Sequence, residues 1–171
     1  NALGNKEELR NIYSTSIVFM AAVGFLIFLF FAIWAVAFPW TLAEKGAPAA
    51  KYTLFLIVIG AQFMVGFIGS VFDCFHEGFQ RYNLRNNITI VNSSVGSVVL
   101  YMLFMKGGGL LSLALVNMIG FSVKYLIYFI MLSTPRLGGF TFERSHLSRK
   151  SFKELVSFGY HSLIQGIAAR I

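Results

Sequence analysis

A short polar segment between two long apolar segments constrains the fold more than any other feature of this sequence. Residues 77–87 are largely polar, whereas Tyr52–Phe75 and Ile88–Met105 on either side are almost wholly apolar. Each apolar segment is close to the roughly 20 residues that an α-helix needs to cross a bilayer core of about 30 Å. The pattern predicts a chain that leaves a membrane at the polar segment and then re-enters it.

The composition favours a membrane protein as well. Hydrophobic residues make up 57% of the chain and charged residues 12%, and the mean hydropathy is +0.71. Soluble domains carry about 25% charged residues, so the composition excludes that class. The single cysteine, Cys74, excludes a disulfide framework within the chain. The sequence starts at Asn1 and stops at Ile171 inside an apolar segment, which is typical of part of a longer membrane protein.

The apolar segments predict an all-α fold, a polytopic transmembrane helix bundle. Four spans are expected, at about Tyr13–Trp40, Tyr52–Phe75, Ile88–Met105 and Leu110–Leu132. Pro39 and Pro135 are expected to end the first and the fourth of them. Ser151 and Glu154 have the spacing of a capping box, which predicts the start of a fifth helix that enters the membrane through Leu155.

The cations are distributed as the positive-inside rule requires. The net charge of +7 alone would also suit a nucleic-acid-binding protein. Nine cations lie in segments 1–12, 76–87 and 133–153, namely Lys6, Arg10, Arg81, Arg85, Arg136, Arg144, Arg149, Lys150 and Lys153. Only Lys45, Lys51 and Lys106 lie in the alternate loops. We therefore expect the three cation-rich segments to be cytoplasmic and expect no nucleic-acid partner.

Polar side chains at helical spacing inside the spans are candidates for a substrate-binding cavity. The second span carries Gln62, Gly66, Gly69, Asp73 and Glu77 on one face, the third carries Asn86, Thr89, Ser93 and Ser97, and the fourth carries Asn117 and Lys124. Such groups normally face other helices or water, although Ser and Thr can instead bond carbonyls of their own helix. Gly66 and Ser70 form a small-xxx-small pair, which predicts close helix packing there.

Lys124 and Arg170 are the charges expected deepest in the membrane. At 1.5 Å per residue, Lys124 lies about 12 Å from the cytoplasmic end of its span and Arg170 roughly 22 Å along the fifth helix. A charge at the bilayer centre costs about 2.5–3.5 kcal/mol, so it usually faces a cavity or a partner. We expect no carboxylate of this chain at matching depth and predict that both cations attract an anionic substrate group. For Lys124 the alternative is snorkelling toward the cytoplasmic headgroups. For Arg170 it is a salt bridge with a carboxylate in the half of the whole protein that this sequence lacks.

The sequence predicts neither a catalytic group nor a metal site. Asp73, His76 and Glu77 share helical spacing, but they lie at the membrane edge beside Arg81, where solvated charges are ordinary. The glycines at 107–109 lack the Lys-Ser/Thr that completes a P-loop and therefore predict a turn. No nucleophile, base or paired-carboxylate arrangement is visible, so we expect a protein that is not an enzyme and has no cofactor.

Three motifs resemble polysaccharide flippases of the MOP superfamily, the Wzx-type O-antigen and oligosaccharide exporters that are related to MATE transporters. Residues 7–16, Glu-Glu-Leu-Arg-Asn-Ile-Tyr-Ser-Thr-Ser, are similar to the cytoplasmic approach to their third helix. Residues 77–83, Glu-Gly-Phe-Gln-Arg-Tyr-Asn, are similar to the G-x-Q-R-Y turn between helices four and five. Residues 152–159, Phe-Lys-Glu-Leu-Val-Ser-Phe-Gly, are similar to the E-L-x-x-F-G opening of helix seven. The residues singled out in the cytoplasmic turn are Gln80, Arg81, Tyr82 and Arg85.

The resemblance implies both an arrangement and a function. Residues 1–132 would be helices three to six of an N-terminal bundle, 133–153 a cytoplasmic linker between bundles, and 154–171 the start of the first helix of a C-terminal bundle. Such proteins move polyprenyl-pyrophosphate-linked oligosaccharides across the bacterial cytoplasmic (inner) membrane during polysaccharide biosynthesis, for example of the lipopolysaccharide O-antigen. The partners implied are this lipid-linked substrate, the lipid bilayer and a coupling ion, H+ or Na+. The cavity candidates are Lys124, Arg170, Asn117, Gln62, Ser93 and Ser97.

Three other functions stay open on the sequence alone. A MATE-type cation-coupled exporter of small cationic compounds would need carboxylates near the bilayer centre, and none is expected there. A membrane glycan polymerase or ligase would usually need a large external loop, whereas the expected external loops are short. A purely structural membrane subunit would have the same helical periodicity.

The topology can be tested with single cysteines in a Cys74→Ser background. Because of the uneven cation distribution, we expect a cysteine at Asn83 to react only from the cytoplasmic side and one at Gly46 only from the outside. Labelling by a membrane-impermeant thiol reagent in intact cells and in inverted vesicles measures this. Labelling of both positions from outside would contradict the topology.

Overall fold

The computed structural model describes residues 2–42, 49–134, 139–143 and 146–157. These residues form helices joined by turns and loops, and they contain no strand. The helices are α1 (Ala2–Leu42), α2 (Ala49–Gly78), α3 (Tyr82–Met105) and α4 (Leu110–Ser133), followed by α5 at residues 149–157. The predicted all-α fold class is confirmed.

Helices α1 to α4 each contain a segment long and apolar enough to cross a membrane. The segments are Lys6–Ala37, Ala50–Gly78, Tyr82–Met105 and Leu110–Ser133. Large apolar side chains lie on the outside of the described structure, and Ile33 and Met105, for example, are 70% and 73% exposed. In water this exposure would be costly, whereas lipid tails solvate apolar side chains well.

Helix α1 continues past the proline that was expected to end it. It ends at Leu42, so the prediction that Pro39 stops the helix is wrong. A proline has no N–H for the carbonyl four residues earlier, which here is that of Ala35. The Thr53 hydroxyl of α2 donates to the Ala35 carbonyl at 3.2 Å. The neighbouring helix thereby supplies the hydrogen bond that the proline cannot make.

The polar segment between α2 and α3 is mostly helical, and α3 begins at Tyr82, six residues before the predicted start of the third span at Ile88. Only residues 79–81 lie between the two helices. The Arg81 N–H donates to the His76 carbonyl at 3.0 Å, and the Gln80 N–H donates to the Glu77 carbonyl at 2.8 Å. These two bonds form a Schellman motif, which closes a helix at a residue in the left-handed conformation. Gln80 takes that position with a φ of 55°, where glycine is usual.

The turn between α3 and α4 uses the same motif with glycine. The Gly107 N–H donates to the Phe104 carbonyl at 3.0 Å, and the Gly108 N–H donates to the Leu103 carbonyl at 2.8 Å. Gly107 has a φ of 82°. The tight turn predicted at 106–109 is confirmed, and it makes α3 and α4 an antiparallel hairpin.

Packing divides the chain into two compact units, and the larger one is Met20–Met131. Inside it, glycines allow close approach of the helices. A Cβ added to Gly60 would lie 2.8 Å from Phe31 Cβ, and one added to Gly69 would overlap the Tyr125 ring. Gly66 has no such neighbour within 4 Å, and the Ser70 hydroxyl donates to a carbonyl of its own helix. The close packing predicted at Gly66 and Ser70 is therefore wrong, because α2 meets the neighbouring helices at other glycines.

The second unit contains Asn1–Phe19 and Leu132–Ile171. In it the chain after α4 packs against the N-terminal half of α1. The Tyr13 ring lies 5.7 Å from the Phe140 ring, and the Phe19 ring lies 5.5 Å from the Phe152 ring. Both contacts bury aromatic surface, which stabilises this unit.

Helix α5 begins earlier than the capping-box spacing predicted. Residues 149 and 150 are already helical, and the Ser151 N–H donates to the Ser148 hydroxyl at 3.4 Å. The N-cap is therefore Ser148 and not Ser151. The Ser148 N–H itself donates to the Thr15 hydroxyl at 3.2 Å. Residues 149–153, expected in a loop, belong to the helix.

We expect Gly69→Ala to destabilise the protein by about 1–3 kcal/mol, because the added methyl group would overlap the Tyr125 ring. Gly66→Ala on the same helix is the matched control. It meets open space and should be neutral or stabilising by up to about 1 kcal/mol. Thermal unfolding in detergent measures both, and equal midpoints for the two variants would contradict the packing of α2 on α4.

Candidate functional site

Asp73 on α2 is the centre of a cluster of paired charges. Its Oδ1 accepts a hydrogen bond from Arg85 Nε of α3 at 3.3 Å, and its Oδ2 accepts one from Lys124 Nζ of α4 at 3.2 Å. The side chain of Asp73 is 19% exposed and that of Lys124 is 12% exposed. Each carboxylate oxygen thus binds a cation from a different helix.

Glu77, one turn further along α2, completes the cluster. Its carboxylate forms a salt bridge with Arg85 Nη1. The cluster therefore has two carboxylates on α2 and two cations on the α3–α4 hairpin, and its formal charge is zero. Pairing of this kind lowers the cost of ionised groups within helices that cross a membrane.

Aromatic side chains of α4 surround the ammonium group of Lys124. Its Nζ lies 4.7 Å from the centre of the Tyr125 ring and 5.4 Å from that of the Tyr128 ring. These are cation–π distances. The aromatic rings therefore pack on the lysine of the Lys124–Asp73 pair.

The buried hydroxyl of Tyr128 connects α4 to α3. It donates to the Arg85 carbonyl at 3.1 Å and lies 3.3 Å from the Thr89 hydroxyl. Since a hydroxyl has one proton, Thr89 is the donor in the second contact. The His76 ring packs on Tyr128 at 4.8 Å and is fully buried. Neither His76 nitrogen has a hydrogen-bond partner in the described part of the chain.

The pairing of Lys124 contradicts the expectation that no carboxylate lies at matching depth. Helix α2 extends to Gly78, beyond the predicted end of its span, so Asp73 lies about 8 Å from that end at 1.5 Å per residue. Lys124 lies roughly 13 Å from the end of α4 at Ser133. Asp73 is therefore about one helical turn closer to the cytoplasmic ends of the helices than Lys124, and the aliphatic chain of a lysine is long enough to span that distance. The Lys124 side chain thus extends toward Asp73.

A groove between α3 and α4 borders the same lysine. This α3–α4 groove has a volume of about 340 Å³ and is lined by Asn87, Ile88, Val91, Asn92, Val95, Val123, Lys124 and Ile127. Its walls are aliphatic apart from the lysine and the two asparagine amides. The surface that lines this groove is therefore almost entirely apolar.

The other cavity candidates are not brought together with Lys124. Gln62 borders a separate cavity of about 220 Å³ between α2 and α4. Ser93, Ser97 and Asn117 are exposed. The Ser97 hydroxyl donates to the Ser93 carbonyl at 2.8 Å, the local bond that was the alternative to a cavity role. Substrate binding by these residues stays a prediction, and Arg170 lies outside the described residues.

Of the predicted cytoplasmic-turn residues, only Arg85 joins the charge cluster. The Arg81 guanidinium lies 5.4 Å from the Phe79 ring centre, and its Nη1 is buried without a hydrogen-bond partner among the described residues. Tyr82 is 52% exposed. Gln80 is exposed too, and it shapes the turn through its backbone conformation.

Sequence reasoning missed the partners of the cations. The sequence indicates Asp73 only as a carboxylate at the membrane edge and Asn87 only as part of the polar segment, and no pattern indicates Tyr128 or Asn92. One signal was available, since Asp73 belongs to the polar face of α2. Its spacing of 51 residues from Lys124 is not a pattern that periodicity within one helix can reveal.

Four membrane-compatible helices and a neutral charge cluster inside them define a helical membrane protein with polar contacts between its spans. The sequence model of the family described as "Polysaccharide biosynthesis protein" matches residues 3–171. The chain belongs to this family, and its role is in polysaccharide biosynthesis. No curated protein and no solved structure gave a significant match.

We expect Tyr128→Phe to destabilise the protein by about 1–3 kcal/mol. The change removes the hydroxyl that bonds both the Arg85 carbonyl and Thr89 inside the cluster. Tyr101→Phe is the matched control, because that tyrosine is 67% exposed. Thermal unfolding in detergent compares the two, and an unchanged midpoint for Tyr128→Phe would contradict a structural role for its hydroxyl.

Proposed function

We propose that the protein exports lipid-linked oligosaccharide by flipping it across the bacterial cytoplasmic (inner) membrane as a multi-pass membrane protein. The observation that carries this proposal is the family match over residues 3–171. The four membrane-compatible helices support it, because a protein that moves a substrate across a bilayer must itself span the bilayer. The three flippase-like motifs point to the same activity.

The pairing of the carboxylates argues against the cationic substrates that a MATE-type exporter carries. Asp73 and Glu77 are both paired with cations of the neighbouring helices, so neither offers a free carboxylate to a cationic compound. Lys124 also borders the α3–α4 groove. A polyprenyl pyrophosphate has the matching charge and the matching apolar chain.

Transport is favoured over glycan polymerisation or ligation. Helices α3 and α4 are joined by residues 106–109 alone, and α1 and α2 are only six residues apart in the sequence. These two connections leave no room between their helices for the large external loop that such an enzyme usually uses. We therefore propose a transporter without a cofactor, driven by a coupling ion, H+ or Na+.

Export should depend on the two deep cations. We expect Lys124→Ala and Arg170→Ala in the intact protein to abolish glycan export while leaving membrane insertion unchanged. Arg170→Lys should restore export only in part, because lysine cannot form the two-pronged hydrogen bond of a guanidinium. Complementation of an export-deficient strain, with surface glycan as the readout, measures this.

Lys106→Ala is the matched control, since Lys106 lies exposed in the α3–α4 turn. Full export by both alanine variants at Lys124 and Arg170 would remove these residues from the mechanism. Loss of export with the Lys106 variant as well would indicate a general effect of removing positive charge.

A further inference from the structure

We propose that the chain after α4 is held on α1 by a clasp that opens and closes during export. This linker clasp consists of three pairs of residues, Asn11–His146, Thr15–Ser148 and Phe19–Phe152. Its part in export rests on the proposed function, whereas its opening can be measured without transport.

The linker clasp follows one face of α1. Asn11, Thr15 and Phe19 are spaced four residues apart, so their side chains lie above one another on the helix. Their partners come in the same order along the chain, which therefore runs in the same direction as α1. His146 Nδ1 lies 3.0 Å from Asn11 Oδ1, and the Ser148 N–H donates to Thr15 Oγ1 at 3.2 Å. Contacts in one row along a helix are expected to form and break together.

No pair of the linker clasp joins opposite charges. One pair is a hydrogen bond from a backbone N–H to a hydroxyl, one joins an amide to an imidazole, and one is an aromatic contact in which Phe152 stays 44% exposed. The ion pair of His146 is with Glu143 of its own segment, so opening the clasp does not break it. Hydrogen bonds between ionised groups are roughly twice as strong as those between neutral groups. The clasp is therefore easier to open than the three ion pairs between α2 and the α3–α4 hairpin.

Carboxylates next to the linker clasp oppose its closure. A cleft of about 280 Å³ lies between the start of α1 and α5, with Glu7 and Glu8 on one side and Glu154 on the other. Like charges on the two sides repel each other. Lys150 Nζ lies 3.8 Å from Glu154, but both side chains are more than half exposed, so this pair offsets the repulsion only in part. Opening the clasp relieves that repulsion.

The position of the linker clasp gives its opening a role in transport. The family resemblance assigns α1 to the N-terminal bundle and residues 154–171 to the C-terminal bundle, so the clasp would connect the two bundles where α1 and α5 begin. Transporters built from two bundles work largely by rocking one bundle against the other. A connection between the bundles on one side of the membrane has to open whenever the substrate path opens to that side. By the predicted topology that side is the cytoplasm, from which the lipid-linked oligosaccharide enters.

The distance between two spin labels tests whether the linker clasp opens. Arg10→Cys and Lys153→Cys place the labels at exposed positions of α1 and α5 in the intact Cys74→Ser protein. The labelled protein is reconstituted in lipid nanodiscs and measured by double electron–electron resonance. We expect two distances, of which the shorter belongs to the closed clasp.

Two changes should shift the ratio of open to closed protein in opposite directions. Thr15→Val removes the hydroxyl that accepts from the Ser148 N–H, and we expect it to raise the ratio about fivefold. Glu7→Gln together with Glu8→Gln removes repulsion across the cleft and should lower the ratio. Ser122→Ala is the matched control, because its hydroxyl bonds a carbonyl of its own helix, and it should leave the ratio unchanged. A single distance, or the absence of either shift, would overturn the proposal.

A disulfide across the linker clasp tests whether export needs the opening. Oxidation of Thr15→Cys with Ser148→Cys in the Cys74→Ser protein should join two positions that are already in contact. We expect the oxidised protein in proteoliposomes to lose translocation of a fluorescent polyprenyl-pyrophosphate-linked oligosaccharide, and reduction to restore it. The two single-cysteine variants, treated with the same oxidant, are the controls. If this pair yields no monodisperse protein, Asn11→Cys with His146→Cys replaces it.

The two experiments separate this inference from the proposed function. Unchanged translocation by the disulfide-bonded protein would remove the linker clasp from the export cycle. Two distances with both expected shifts, in a protein that translocates no oligosaccharide even when reduced, would leave the clasp standing and contradict the proposed function. Translocation by a protein with a single distance would contradict only this inference.

Discussion

The charge cluster depends on one carboxylate whose two oxygens bind cations from two different helices. Asp73 binds Arg85 with Oδ1 and Lys124 with Oδ2, so a single side chain of α2 holds a cation from α3 and another from α4. Inside a membrane an unpaired charge is costly, so each partner depends on the other two. The aromatic rings at Lys124 and the Tyr128 hydroxyl pack around this arrangement.

Backbone groups have hydrogen-bond partners where the helices deviate from regularity. The Thr53 hydroxyl bonds the Ala35 carbonyl that Pro39 leaves without a donor. In the turn after α2, Gln80 accepts a conformation that costs about 1–2 kcal/mol for a residue with a Cβ. This conformation ends α2 and completes the turn within residues 79–81. Arg85, one turn into α3, therefore lies close enough to bind Asp73.

The sequence contained enough information for the class of fold but not for the pairings. Hydropathy located the four spans because apolar length is a local property, and the glycine run at 106–109 predicted its turn for the same reason. The end of α1 was misplaced because the hydrogen bond that lets α1 pass Pro39 comes from another helix. The partner of Lys124 was missed because the end of α2 was placed too early. The N-cap of α5 was predicted three residues too late. Ser148 and Ser151 are both of a residue type that caps helices, and the sequence alone does not distinguish between them.

The division of charges between the helices limits how this part of the protein can move. Both carboxylates lie on α2 and both cations lie on the α3–α4 hairpin, so any motion that separates α2 from the hairpin breaks three ion pairs at once. Breaking a buried pair by removing one partner typically costs about 3–5 kcal/mol, although the exposed part of Arg85 lowers that figure here. Helices α2, α3 and α4 are therefore expected to move together.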